Sequence, residues 1–73
     1  LANANLSQAN LIDANLSMVN LSGANLSKAN LRNAVLKNAN CYGAKFVSAN
    51  LECCQLQEVN LKQANLTAAN LHD

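Results

Sequence analysis

The chain has 73 residues, with five Lys and Arg against four Asp and Glu and a net charge of +1, so its overall charge does not indicate nucleic-acid or membrane-surface binding. No apolar run reaches the roughly 18 residues of a membrane-spanning helix, and we predict no direct membrane insertion. Half of the residues are apolar, but one Phe, one Tyr and no Trp are poorly suited to the core of an ordinary small globule.

An apolar residue occupies every fifth position from one end of the chain to the other. In "NLSGANLSKANLRNA", residues 20–34, these positions are Leu21, Leu26 and Leu31. In most units Ala stands two residues before the apolar position and Asn one residue before it, whereas the two residues after it vary. In chain order, we predict a structural core of Leu6, Leu11, Leu16, Leu21, Leu26, Leu31, Leu36, Cys41, Phe46, Leu51, Leu56, Leu61 and Leu66.

A period of five fits neither regular element. In an α-helix, five residues advance the side-chain direction by about 140° beyond a full turn, so no apolar stripe forms. In a strand, successive apolar residues would point to opposite faces, because side chains alternate with period two. Coils that turn a corner in every unit and stack about 4.8 Å apart would bring all the apolar residues and the alanines inside.

The Asn before each apolar residue is expected to lie at a corner, where its amide can bond nearby backbone. If residues twenty apart stack, four asparagines form an unbroken column, and their amides are expected to hydrogen-bond along it. These are Asn10, Asn30, Asn50 and Asn70.

The motif Ala-Asn-Leu-x-x, as in "ANLSQANLIDANLS" at residues 4–17, resembles the pentapeptide repeat family over the whole chain. The resemblance implies an all-β fold, a right-handed quadrilateral parallel β-helix (a solenoid) with four repeats per coil and about three and a half coils. Family members often carry Asp where this chain has Asn. No Pro or linker interrupts the repeat, which predicts one domain, residues 1–73. Because the first residue is Leu and not Met, we expect this domain to belong to a longer chain.

Four units per coil agree with several pairs of residues twenty apart. Gly23 stacks with Gly43, and Arg32 is expected to pair with Glu52 on an outer face. Cys41 and Phe46 occupy successive inward positions in one coil, a small residue beside a bulky one.

The cysteines and the single histidine do not form a recognisable site. Cys41 and Cys54 fall at inward positions, and Cys53 falls at an outward one, next in sequence to Cys54. Glu52, Cys53 and His72 meet on one side, but nothing supplies the fourth ligand of a structural zinc site. Neither a phosphate-binding loop nor a Ser-His-Asp arrangement is present. The sequence therefore predicts no enzyme, no cofactor and no metal.

Non-catalytic protein interaction is the function that these observations favour: a rigid rod serving as a scaffold or spacer. The resemblance adds two alternatives, a DNA-mimicking regulator of DNA gyrase and an accessory subunit of a photosynthetic membrane assembly in cyanobacteria or chloroplast thylakoids. Mimicry of DNA requires an acidic surface, which a net charge of +1 does not provide. Direct nucleic-acid binding is disfavoured because the cations are distributed over all four sides.

Tyr42, with Lys62 one coil above it, is our candidate for a protein contact, because Tyr is enriched in interface hot spots. The expected partner is another protein or a second copy bound through the rod ends. Free thiols favour a reducing, cytoplasmic compartment, with a thylakoid location as the alternative.

Overall fold

Single β-bridges, not continuous strands, organise the fold. The computed structural model of the protein describes all 73 residues and contains neither an α-helix nor an extended strand. Each five-residue unit combines a two-residue turn with one bridge residue, and every bridge is parallel and joins residues twenty positions apart, from Asn5 with Asn25 to Asn50 with Asn70. The chain is therefore a parallel β-helix in which each coil contains four units, and the predicted all-β solenoid is confirmed at this level.

Backbone hydrogen bonds join each coil to the next. Leu6 N donates to Asn25 O at 2.7 Å, and Asn25 N donates back to Ala4 O at 2.9 Å. The same arrangement recurs along the chain, so one bridge residue per unit is enough to pair successive coils.

Each corner is a four-residue turn that runs from an apolar residue to the following inward small residue. Ala9 N donates to Leu6 O at 3.1 Å, and the third residue of that turn, Gln8, has a φ of 64°. A positive φ at this position is the feature of type II turns, and twelve non-glycine residues adopt it here. The corner therefore lies at the two variable residues, and our expectation that the Asn forms it is wrong: the Asn lies in the bridge between two turns.

The buried core is confined to the middle of the solenoid. Its thirteen residues are Leu21, Ala24, Leu26, Ala29, Leu31, Ala34, Leu36, Ala39, Cys41, Ala44, Phe46, Ala49 and Leu51. Six leucines expected in the core are only partly buried, although they pack against it; these are Leu6, Leu11, Leu16, Leu56, Leu61 and Leu66. They lie in the first and last coils, where a stacked neighbour covers them from one direction only.

The overall dimensions differ from those of the elongated rod that we expected. The principal extents are 23 × 21 × 18 Å, so these 73 residues form a body about as long as it is wide.

Candidate interaction surface

Side chains fill the interior of the solenoid. Phe46 and Cys41 are both fully buried, and the bulky ring lies one unit after the small thiol. The structure contains no pocket and no group of side chains arranged to hold a metal ion. None of its elements is a helix of the length and hydropathy that crossing a membrane requires.

The asparagines shape that surface through local hydrogen bonds. Asn5 Oδ1 accepts from Ser7 N at 3.1 Å and from Ser7 Oγ at 2.8 Å, and the Asn–Ser and Asn–Thr pairs at 15/17 and 65/67 repeat this arrangement. These bonds fix the entry to the turns that such an Asn precedes, as asparagine commonly does.

The expected ladder of amides is wrong for the column Asn10, Asn30, Asn50 and Asn70. Each of these side chains accepts from the backbone N–H two residues later in its own coil, and no amide-to-amide bond joins the four. An amide-to-amide bond occurs between Asn60 Nδ2 and Asn40 Oδ1, at 3.4 Å.

The three cysteines are free thiols in three different environments. Cys41 is buried, and desolvation raises its pKa to about 11. Cys54 is partly buried, and its thiol donates to Leu31 O at 2.9 Å. Burial raises the pKa of Cys54, and the backbone of Ala34 opposes this rise. Cys53 is exposed, with its sulfur 3.9 Å from Asp73 O. Thiolate chemistry is suppressed at Cys41 and Cys54.

One ion pair joins neighbouring coils. Arg32 Nε lies 3.4 Å from Glu52 Oε1, one coil away, in agreement with the expected pairing. Both side chains are substantially exposed, at 55% and 33%, so the pair contributes about 0–1 kcal/mol to stability.

Tyr42 and Lys62 occupy equivalent turn positions in adjacent coils. The amide of Gly43, the residue after Tyr42, donates to the carbonyl of Lys62 at 2.9 Å. Tyr42 is 42% exposed, and Lys62 is exposed. The structure thus brings the two candidate contact residues onto one side of the solenoid, one coil apart.

The repeat itself identifies the family. A sequence profile described as pentapeptide repeats (8 copies) matches residues 1–27, 14–52 and 44–73, which together cover the chain. The chain belongs to the pentapeptide repeat family. No curated protein sequence gives a significant match.

Solved structures of pentapeptide repeat proteins superpose on this domain. HetL, a pentapeptide repeat protein involved in the regulation of heterocyst differentiation in the cyanobacterium Nostoc, aligns with a TM-score of 0.98 and 41% identity, covering 100% of this chain and 34% of its own. A pentapeptide repeat protein from the Arabidopsis thaliana thylakoid lumen gives 0.94 and 25%, covering 97% and 49%.

A third structure is less similar. Rfr23, from the cyanobacterium Cyanothece, gives a TM-score of 0.60 and 37% identity, covering 96% of this chain and 51% of its own. The chain thus spans about half or less of the length of these three solved chains. Together they identify the fold as the right-handed β-helix of pentapeptide repeat proteins.

Left-handed turn residues are the feature that the sequence analysis missed. Residues as different as Met18, Lys28 and Glu58 adopt this conformation, with φ values of 63°, 61° and 58°. The single available signal was the pair of glycines at this position, Gly23 and Gly43, which are known to favour positive φ.

Proposed function

We propose that this domain is a non-catalytic protein-interaction module, in which a rigid β-helix serves as a scaffold or spacer. The observation that carries the proposal is the filled interior without a pocket, combined with variable residues held at fixed turn positions. An enzyme needs a cleft that removes a reacting group from water, whereas a docking module needs ordered side chains on a stiff frame.

The finer geometry of the frame belongs to the same proposal. We infer a coil with four sides, one for each five-residue unit, and about three and a half coils along the chain. The twenty-residue spacing of the bridges supports this shape, as do the corner turns in each unit. Four columns of variable residues then face four directions.

Affinity capture tests the interaction function. The folded domain serves as bait in an extract of its source organism, and a variant unfolded by Leu31→Asp serves as the matched control. We expect one or a few proteins in near-stoichiometric amounts on the folded bait alone. Equal recovery on both baits, or none on either, would contradict a specific interaction module.

A role beside a photosynthetic membrane assembly is a second candidate. The similarity to a protein of the Arabidopsis thaliana thylakoid lumen supports it, as does the similarity to two cyanobacterial proteins. Capture from a thylakoid fraction separates this role from a cytoplasmic one. Photosystem or antenna subunits would support the membrane assembly, and soluble partners alone would favour the cytoplasmic scaffold.

Inhibition of DNA gyrase by DNA mimicry would require an acidic surface that resembles the phosphates of a DNA duplex. The chain carries four acids among its 73 residues, and one of the four, Glu52, is paired with Arg32. We therefore expect no change in gyrase supercoiling at micromolar concentration of the domain. Clear inhibition in that assay would replace the scaffold with the mimic.

A further inference from the structure

Charge is divided between two halves of the surface. The twenty-residue register sorts the units into four sides, which we number by the units beginning at Leu1, Leu6, Leu11 and Leu16. The first and second sides carry Lys28, Lys45 and Lys62 and no acidic residue. All four acids lie on the third and fourth sides: Asp13, Glu52, Glu58 and Asp73.

Counting the charges shows how unequal these halves are. The first two sides sum to +3, whereas the other two hold four acids against Arg32 and Lys37 and sum to −2, which together give the net +1. The three lysines of the positive half are exposed, and the ion pair of the structure lies in the other half. The lysines are therefore uncompensated, a distribution that the sequence analysis missed because it did not compare the sides that carry the cations with those that carry the acids.

The three lysines of the positive half lie in successive coils along the solenoid axis. Lys28, Lys45 and Lys62 belong to three successive coils, and Lys45 bridges to Asn25 and Asn65 at the edge between the two sides. With coils about 4.8 Å apart, they span about 10 Å along the axis. This is the length of about three extended residues of a partner chain.

Tyr42 lies within this positive half and is open to a partner. It follows Cys41 on the first side, in the same coil as Lys45. Gly43 beside it leaves open space, since a Cβ there would meet nothing within 4 Å, and Ser22 and Gly23 occupy the same turn in the preceding coil. With small residues beside it and in the preceding coil, and Lys62 in the following coil, this tyrosine presents a rigid, amphipathic contact.

From this arrangement we infer that the first and second sides form a docking surface for an acidic segment of a partner protein, with Lys28, Lys45 and Lys62 pairing with carboxylates and Tyr42 packing at the centre. Long-range attraction to the positive half and repulsion from the negative half would set the orientation of docking. Nucleic acid fits less well, because three lysines without an arginine neutralise few phosphates. The inference rests on the proposed interaction function and names its surface.

Titration of the isotope-labelled domain with a short poly-L-glutamate peptide at low salt tests this surface by NMR. We expect the largest shifts at the amides around Tyr42, Lys45 and Lys62, and little change around Asp13 and Glu58. A DNA duplex is titrated in parallel. Absence of shifts with the peptide, shifts spread over both halves, or tighter binding of the duplex at the same lysines would each overturn the inference.

Paired charge reversals provide the matched control. Lys45→Glu with Lys62→Glu changes the net charge as much as Arg32→Glu with Lys37→Glu, but on opposite halves. The first pair should weaken peptide binding roughly tenfold or more and the second only about twofold, as expected when contacts and not net charge decide. Tyr42→Ala should also weaken binding, with circular dichroism to verify the fold. Equal weakening by the two pairs would overturn the inference.

Failure of this surface can be told apart from failure of the interaction function. If affinity capture of the natural partner is lost with the Arg32 and Lys37 reversals and kept with the Lys45 and Lys62 reversals, the interaction module stands and the assigned surface is wrong. Capture that follows the Lys45 and Lys62 reversals supports both.

Discussion

Leu11 and Leu31 occupy the same position of the repeat one coil apart, yet only Leu31 is fully buried. Both amides pair with the following coil, Leu11 N with Asn30 O at 2.8 Å and Leu31 N with Asn50 O at 2.7 Å. Leu31 is 0% exposed because coils cover it from both directions, and Leu11 is partly buried because one direction is open. In a solenoid, burial is therefore a property of the stack and not of the unit, and terminal and central coils of identical sequence differ in stability.

The largest effect is expected where a charge enters the central coil. Leu31→Asp should unfold the domain, because an unpaired buried carboxylate costs several kcal/mol or more, comparable with the total stability of a small domain. Leu11→Asp should cost less, since the carboxylate can reach water at the open end. Thermal unfolding followed by circular dichroism measures both.

Surface positions supply the control for these charge substitutions. Ser27→Asp and Gln57→Asp lie at the turn position after the apolar residue and should change the midpoint of unfolding little, as surface changes stay within about 0.5 kcal/mol. Equal sensitivity at Leu31 and Ser27 would contradict the division into inward and outward positions.

A cavity tests the same contrast without a charge. Leu31→Ala should reduce the free energy of unfolding by about 2–5 kcal/mol, in the range known for buried leucines. Leu61→Ala should cost about half as much or less, since Leu61 is only partly buried and water can reach the space. Urea unfolding of the two variants decides, and equal losses would mean that the terminal coil is packed as well as the centre.

Stability at alkaline pH should depend on the central thiol. Burial raises the pKa of Cys41 from 9.0 to about 11, so the unfolded chain loses this proton at a lower pH than the folded one. The contribution of Cys41 is therefore fully present below pH 9 and is lost as the pH rises towards 11. We expect the fall in midpoint over this interval to be smaller in Cys41→Ala than in the wild type. An identical fall in both would show that Cys41 does not titrate with unfolding.

The exposed thiol of Cys53 is an internal reference for the accessibility of the buried thiol of Cys41. Alkylation of the folded domain should modify Cys53 first and Cys41 last, because Cys53 is exposed and Cys41 is fully buried. Mass spectrometry of digested samples gives the order. Early modification of Cys41 would mean that the central coil opens readily.

Much of this fold could be predicted because the same five-residue pattern of inward and outward residues repeats along the whole chain. The period of five and the inward Leu and Ala follow from the need to bury apolar side chains in stacked coils. The pairing of Arg32 with Glu52 required in addition the four repeats per coil that the family resemblance implies. The site of the turn could not be read from the Asn, since an Asx hydrogen bond is compatible with a corner or with the residue that precedes one. The extent of burial could not be read either, because Leu11 and Leu31 are indistinguishable within their units. The sequence was sufficient to pair Tyr42 with Lys62. The absence of acids on their two sides becomes evident only when every charged residue is assigned to a side by the twenty-residue spacing.

Association through the terminal coils is the smallest effect that we expect, and it most directly distinguishes the terminal coils from the central ones. The amide of Leu51 donates to Asn70 O, whereas the amides of Leu56, Leu61 and Leu66 have no backbone acceptor. Leu1 and Leu71 are 60% and 49% exposed at the two ends. Unpaired strand edges beside apolar side chains favour pairing with further chain, a cap or a second copy.

The 73-residue polypeptide alone should therefore self-associate weakly, with a sedimentation-derived mass that rises with concentration. Leu71→Lys should reduce this rise, whereas Met18→Lys, on the outside of a turn and 76% exposed, should leave it unchanged. A polypeptide that stays folded and monomeric at high concentration, or an equal response to both substitutions, would mean that the open coils do not drive association.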